Sequence, residues 1–228
     1  LPLLSRAELQ QEFLALRARL PGQQDAEFMV CATSGSSGEP VRVEKLRALH
    51  RLLYEAVGLI DTEWHRRDPS HTLAVLGFGT AEGEHASWGG IYPLLGCRGK
   101  GISRSLPAHS MASHLDWLMQ HRPAYLKCSP MAAAELAQLA IAAGVALPIS
   151  QIISQSERVL PSHRALCRQA FGAGIKDRYS SEEAGWIALQ CPKHDHLHVM
   201  SGLTQLDIVD DAGAPCAVGQ PGRVLVTS

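Results

Sequence analysis

The stretch Phe28-Met29-Val30-Cys31-Ala32-Thr33-Ser34-Gly35-Ser36-Ser37-Gly38-Glu39-Pro40-Val41-Arg42-Val43 decides how this chain is read. An apolar run over 28–32 gives way to four hydroxyl side chains and two glycines, after which the chain resumes an alternating Val41-x-Val43 pattern. Glycines let backbone N–H groups converge on an anion, and hydroxyls add donors to phosphate oxygens. The loop 33–40 is therefore expected to cradle phosphate between two strands. A Walker loop would end in Gly-Lys-Ser/Thr and open a helix, whereas here Gly38 is followed by Glu39-Pro40 and an extended segment. A Ser/Gly-rich hairpin or linker is the alternative reading of the same residues.

Outward from this loop, helix and strand signals alternate. Ser5-Arg6-Ala7-Glu8 has capping-box spacing, and Leu9, Phe13, Leu16 and Leu20 follow at helical intervals up to Pro21-Gly22. Strands are expected over 28–32 and 41–44, then a helix over 45–66 with Leu46, Leu49, Leu53, Val57 and Ile60 on one face. Leu73-Ala74-Val75-Leu76 reads as a parallel strand covered on both sides. A Gly-rich loop, 77–84, leads into a segment around Trp88 to Leu95. Helices 110–121, 130–143 and 161–171 then alternate with strands 124–127, 149–153 and 175–179. Short strands follow at 187–190, 197–200, 205–209 and 223–227.

The expected fold class is α/β, a mostly parallel sheet flanked by helices with a smaller antiparallel or barrel-like C-terminal part. Residues 1–185 would form a nucleotide-binding α/β core and 186–228 a β-rich subdomain. Leu1 directly precedes a helix, and Gly222 to Ser228 reads as a strand without a following turn, so the chain is expected to be a piece of a longer protein.

The composition narrows the function classes. The chain has 228 residues, 46% of them apolar, which supports a real core. With 21 basic and 22 acidic residues the net charge is −1, so neither a nucleic-acid footprint nor a polybasic membrane segment is present. Four each of Phe, Tyr and Trp are too few for single-strand stacking platforms. The six cysteines (31, 97, 128, 167, 191, 216) include no CxxC pair and read as reduced thiols, which implies a cytoplasmic location. The longest apolar stretch, Leu136 to Leu147, is interrupted by Gln138 and is too short to span a bilayer. No nucleic-acid or membrane partner is expected.

In an open parallel sheet, ligands bind beyond the C-terminal strand ends. Loops 33–40, 77–88 and 179–185 qualify by position. In the last, Tyr179 precedes Glu183 by four residues. A ring can stack on a base, and a carboxylate beside phosphates is tolerable when it holds a metal ion; a polar turn with solvated glutamates is the plainer alternative. Ser154-Gln155-Ser156-Glu157-Arg158 also follows a strand. Cys191 stands close to His194, His196 and His198, and Cys191, His194 and His198 are candidate Zn²⁺ ligands, against the alternative of a solvated polar hairpin.

Together these segments resemble the adenylate-forming (AMP-binding) superfamily, within it the phenylacetate–coenzyme A ligase-like branch. Thr33 to Pro40 is similar to the family's Thr-Ser-Gly-(Ser/Thr)-(Ser/Thr)-Gly-x-Pro signature. Tyr179 and Glu183 match the ends of its Tyr-Gly-x-(Ser/Thr)-Glu signature, with Ser180 and Glu182 departing from it. Gln190-Cys191 to Leu197-His198-Val199 and Gly222 to Ser228 resemble two further signatures of that branch. The resemblance implies ATP-dependent activation of a small carboxylic acid, with an aromatic acid among the candidates, to an acyl-adenylate with release of pyrophosphate. The acyl group would then pass to coenzyme A or to the pantetheine of an acyl carrier protein. Thr33, Ser34, Gly35, Ser36, Ser37 and Gly38 would hold the ATP β- and γ-phosphates, with Thr33 and Glu183 serving catalysis. Gln155, Ser156 and Glu157 would line the adenine and AMP pocket; Tyr179, with Ser180 beside it, would stack on adenine, and Glu183 would bind Mg²⁺. His85, Trp88, Gly89 and Ser129 are candidates for the acyl pocket, with Trp88 as core and His85 as surface the plainer alternatives. The family's catalytic lid would lie beyond Ser228. Two other readings stay open: a non-catalytic relative that binds a nucleotide or acyl-adenylate as scaffold or sensor, and a phosphotransferase using 33–40. A homodimer is compatible with the sequence.

Overall fold

The computed structural model describes residues 3–17, 21–33 and 38–228. The chain forms two compact units that interleave along the sequence. Residues 1–61, 180–188 and 199–228 make the first, here the hairpin unit; residues 62–179 and 189–198 make the second, the sheet unit.

The hairpin unit begins with helix α1 (Arg6–Gln11), started by the expected reciprocal cap. The Ser5 N–H donates to Glu8 Oε2 at 2.6 Å, and the Glu8 N–H donates to Ser5 Oγ at 3.2 Å. The helix stops earlier than its leucine spacing predicts. None of its residues is buried and Leu16 is exposed, so no apolar surface rewards further turns; Leu20 lies outside the described residues. Strands β1 (Phe28–Ala32) and β2 (Arg42–Leu46) pair antiparallel from Phe28↔Leu46 to Ala32↔Arg42. Helix α2 (Arg47–Trp64) follows at once, two residues later than expected because Lys45 and Leu46 stay in the hairpin.

The sheet unit is built on β3 (Leu73–Gly77), β4 (Gly83–His85), β5 (Gly101–Ser105), β6 (Tyr125–Cys128), β7 (Gln151–Ser154) and β8 (Gly174–Lys176). They lie in the order β4-β5-β3-β6-β7-β8, all pairs parallel except β4 with β5. The register aligns Ile102, Ala74, Leu126, Ile152 and Ile175 in one row across five strands, each at most 2% exposed. This row joins α3 (Met111–His121), α4 (Pro130–Ala143) and α5 (Pro161–Phe171) in a single core, where Ala133, Leu136, Ala137 and Ala140 of α4 are completely buried. Small alanines let α4 approach its neighbours closely. Its start is fixed by Ser129, whose Oγ accepts the Ala132 N–H at 3.2 Å, and by Pro130 in the first turn; Gly144 ends it at φ 64°.

Strands β4 and β5 are additions to the sequence-based expectation. Gly101-Ile102-Ser103-Arg104-Ser105 carries one apolar residue, yet it lies between β3 and β4 with Gly101 and Ile102 buried. The expected strand 175–179 is instead β8 and β9 (Arg178–Ser181), broken at Asp177. There Asp177 Oδ1 accepts from Ser154 Oγ at 3.0 Å and from the Arg178 N–H at 2.8 Å, which turns the chain away from the sheet edge.

Strands β9, β10 (Gly185–Gln190) and β11 (Leu197–Val199) form a three-stranded sheet in the order β11-β10-β9, and the unit boundaries fall within these strands. Strands β12 (Gln205–Val209) and β13 (Arg223–Thr227) pair antiparallel in the hairpin unit. All six cysteines are free. Burial raises the Cys128 thiol strongly and pushes Cys167 up to about 12, so both are inert core residues. Among the described residues no helix is long and apolar enough to cross a membrane.

Candidate functional site

The Ser/Gly loop springs from the closed end of the β1–β2 hairpin. The Thr33 N–H donates to the Val41 carbonyl at 3.0 Å, and the Val41 N–H donates to Thr33 Oγ1 at 3.0 Å. This double clasp brings the two ends of the loop together. Ser34, Gly35, Ser36 and Ser37 lie outside the described residues. On the far side of the loop Gly38 holds φ 136°, a backbone region open to glycine. The Glu39 carbonyl accepts from the side chains of Arg6 and Gln10, which ties α1 to the loop. Arg42 is exposed.

In the same unit, the stem of this hairpin faces the turn that carries Glu183 across a cavity of about 280 Å³. Lys45, Leu49 and Tyr54 line it from β2 and α2, and Glu183, Gly185 and Trp186 from the opposing turn. The turn is held by the Ala184 N–H donating to Ser181 Oγ at 3.0 Å, which sets Glu183 near its tip. Gly185 takes φ 75°, and a Cβ there would stand 4.0 Å from Lys45 Nζ. The Tyr54 and Trp186 rings lie 5.1 Å apart and supply an aromatic wall. Charges from both sides reach the groups around this space. Burial raises the Cys31 thiol and lowers the His50 imidazole; Lys45 lowers both and Glu182 raises both. A half-buried carboxylate and an ammonium on one cavity can hold a divalent cation and an anionic oxygen side by side. Lys45 was not singled out from the sequence, because a helix start was expected there.

The sheet unit gathers other expected residues beyond the C-terminal strand ends. Gly77 closes β3 with no room for a side chain: a Cβ would stand 2.5 Å from Thr80 Oγ1 and 3.3 Å from Gln155 Nε2. Gln155 thus packs against the loop after β3. Ser156 next to it holds φ 70°, a left-handed conformation that costs a non-glycine residue about 1–2 kcal/mol. Ser156→Gly is therefore expected to raise the melting temperature by about 1–4 °C, measured by thermal unfolding; a decrease would mean that the serine hydroxyl holds the loop. Glu157 is exposed, and Tyr179 on β9 is 39% exposed. Tyr179 counts with the sheet unit and Ser180 with the hairpin unit.

The acyl-pocket candidates do not gather. Because β4 runs antiparallel to β5, the chain after β3 returns along the sheet edge, and His85 pairs with Gly101 at the N-terminal end of β5. There His85 Nε2 donates to Ser103 Oγ at 3.1 Å, while Ser103 Oγ donates to the Ala81 carbonyl. Trp88 packs against Tyr125 at 5.3 Å, and its Nε1–H donates at 2.8 Å to the carbonyl of His71, ahead of β3. Gly89 lies beside it at φ 84°. Ser129, by contrast, follows the C-terminal end of β6 and spends its hydroxyl on the α4 cap. A group not anticipated from sequence sits near that same end of the sheet. His109 Nε2 lies 2.7 Å from Glu82 Oε1 and its Nδ1 3.1 Å from Arg104 Nη2. The hydrogen bond from His109 holds the Glu82 carboxyl below its ordinary range. Glu82 is 27 residues from His109 in sequence, and no local spacing marks the group.

The Cys/His cluster forms, with one exchange. Ligand atoms of Cys191, His196 and His198 all lie within 4.8 Å of one another. His194, expected in place of His196, instead stacks on the His196 ring at 5.5 Å.

No family model matches the sequence, and no curated protein matches it. Solved structures do. The open conformation of 2-hydroxyisobutyryl-CoA ligase in complex with 2-HIB-AMP and CoA superimposes with a TM-score of 0.75 at 18% identity, over 99% of this chain and 50% of that one. Anthranilate CoA ligase AuaEII in complex with anthranoyl-AMP gives 0.61 at 19% identity, over 86% and 38%. Apo MatB from Rhodopseudomonas palustris gives 0.57 at 18% identity, over 87% and 38%. The chain spans about half the length of the first of these. Over part of their length, its fold is that of these solved CoA ligases.

Proposed function

We propose that this chain carries the phosphate- and nucleotide-handling part of an ATP-dependent acid–thiol ligase. The observation that carries the reading is the clasped Thr33–Val41 loop in the same unit as the cavity shared by Lys45 and Glu183. In this reading the 33–38 loop receives the β- and γ-phosphates, and Lys45 counters a phosphate oxygen. Glu183 holds Mg²⁺, which would neutralise charge building up on the phosphates. Tyr179 stacks on the adenine, with Gln155, Ser156 and Glu157 along the AMP. A carboxylate oxygen of the substrate attacks the α-phosphorus, the bond to the bridging oxygen breaks and pyrophosphate leaves. A thiol, from coenzyme A or a pantetheine arm, then attacks the acyl carbon and AMP departs. No protein nucleophile is required, so the contribution of the chain is positioning and charge.

The deciding measurement is carboxylate-dependent exchange of pyrophosphate into ATP by the full-length protein across a panel of aromatic and small aliphatic acids. AMP and pyrophosphate as products support the proposal; ADP, with phosphate moved to a hydroxyl, would replace it with a phosphotransferase. One observation favours a second reading, a binder without turnover: the Gln155 amide fills space beside Gly77 at the strand ends. ATP binding without exchange for any acid would support that one.

A further inference from the structure

We propose that Cys191, His196 and His198 form a zinc site of their own, independent of the nucleotide reading. Three lines of geometry converge on it. The ligand atoms already lie within 4.8 Å of one another. A tetrahedral Zn²⁺ at about 2.3 Å from sulfur and about 2.1 Å from nitrogen needs them roughly 3.5 Å apart. Rotation of two exposed imidazoles about their side-chain torsions covers that difference.

The backbone that carries them is fixed without help from a metal. The Cys191 N–H donates to the His196 carbonyl at 2.8 Å, closing the 191–196 turn, and Gln190 Nε2 donates to the His194 carbonyl at 2.9 Å. One end of the site is therefore set by β10 and the other by β11.

The surroundings suit a bound thiolate. Cys191 is buried, and its Sγ accepts the Lys193 N–H at 3.5 Å, a bond to sulfur that offsets negative charge on a metal-bound thiolate. Trp64 meets the His198 ring edge-on at 5.6 Å and orients it. One thiolate and two imidazoles select zinc over magnesium or calcium, which prefer oxygen. Water completes the tetrahedron on the exposed side. His194 stays outside the set, stacked on His196 at an interplanar angle of 13°. The metal would then staple the end of β10 to the start of β11.

The test is zinc titration of metal-stripped full-length protein against a chromophoric chelator, with cobalt(II) as a spectroscopic stand-in. One zinc per chain is expected, together with a thiolate-to-cobalt charge-transfer band that Cys191→Ser abolishes. His196→Ala and His198→Ala, both at exposed positions, should weaken zinc by at least ~10-fold, and His194→Ala by less than ~3-fold. Removal of the metal should lower the melting temperature. Absence of stoichiometric zinc, a cobalt spectrum lacking the sulfur band, or a His194→Ala loss as large as that of His196→Ala would overturn the assignment. Acid-dependent pyrophosphate exchange is read separately, so failure here leaves the ligase reading standing, and the reverse holds too.

Discussion

Replacing Glu183 by Gln is expected to lower carboxylate-dependent pyrophosphate exchange by about 100-fold or more in the full-length protein. Glutamine keeps the length and shape of the side chain, so the Ser181–Ala184 turn and the wall around Trp186 should be unaltered. What is lost is one full negative charge on a cavity that also carries Lys45. Magnesium is a hard cation that prefers carboxylate oxygen, and an amide holds it poorly. The loss should therefore appear in kcat/KM and be partly relieved by raised Mg²⁺. Exchange at the wild-type rate would remove Glu183 from the metal role. Lys45→Met is a companion: a fall in activity that extra Mg²⁺ does not relieve would separate the ammonium from the carboxylate.

The largest loss of stability is expected from Leu126→Ala. Leu126 is fully buried and central in the row Ile102–Ala74–Leu126–Ile152–Ile175. Truncation there removes apolar contact from both neighbouring strands and leaves a void that close-packed helices cannot collapse into, costing about 2–5 kcal/mol. For a unit of this size that lowers the melting temperature by roughly 5–15 °C. Leu52→Ala on α2, where the side chain is 62% exposed, should change it little. Equal losses from the two would mean that the row is not the mechanical centre of the sheet unit.

Sequence alone reached the main sheet because its strands are dense in apolar residues and its helices carry explicit punctuation. Ser129-Pro130 and Gly144 frame α4, Pro161 and Gly172 frame α5, and both helices span the residues expected. It missed β4 and β5 because their burial comes from neighbours rather than composition: Gly101-Ile102-Ser103-Arg104-Ser105 is a strand on account of β3 beside it. It overextended α1, where periodic leucines found nothing to cover. For the site, the loop at Thr33 and the turn at Glu183 were marked by residue type. The Lys45 contribution and the Glu82–His109–Arg104 group were not, since each depends on segments brought together only by folding. The placement of Trp88 failed for a related reason. Nothing local announces that β4 reverses the chain and carries it to the other end of the sheet.

The interleaving of the two units also has a temporal side. While the ribosome is still working, residues 62–179 emerge as one nearly continuous block with every strand of the central sheet, whereas the first 61 residues belong with 180–188 and 199–228. At ordinary elongation rates those early residues wait on the order of ten seconds for their companions. During that interval the nascent hairpin is without its returning segments, and a premature stop before residue 180 would leave it without either.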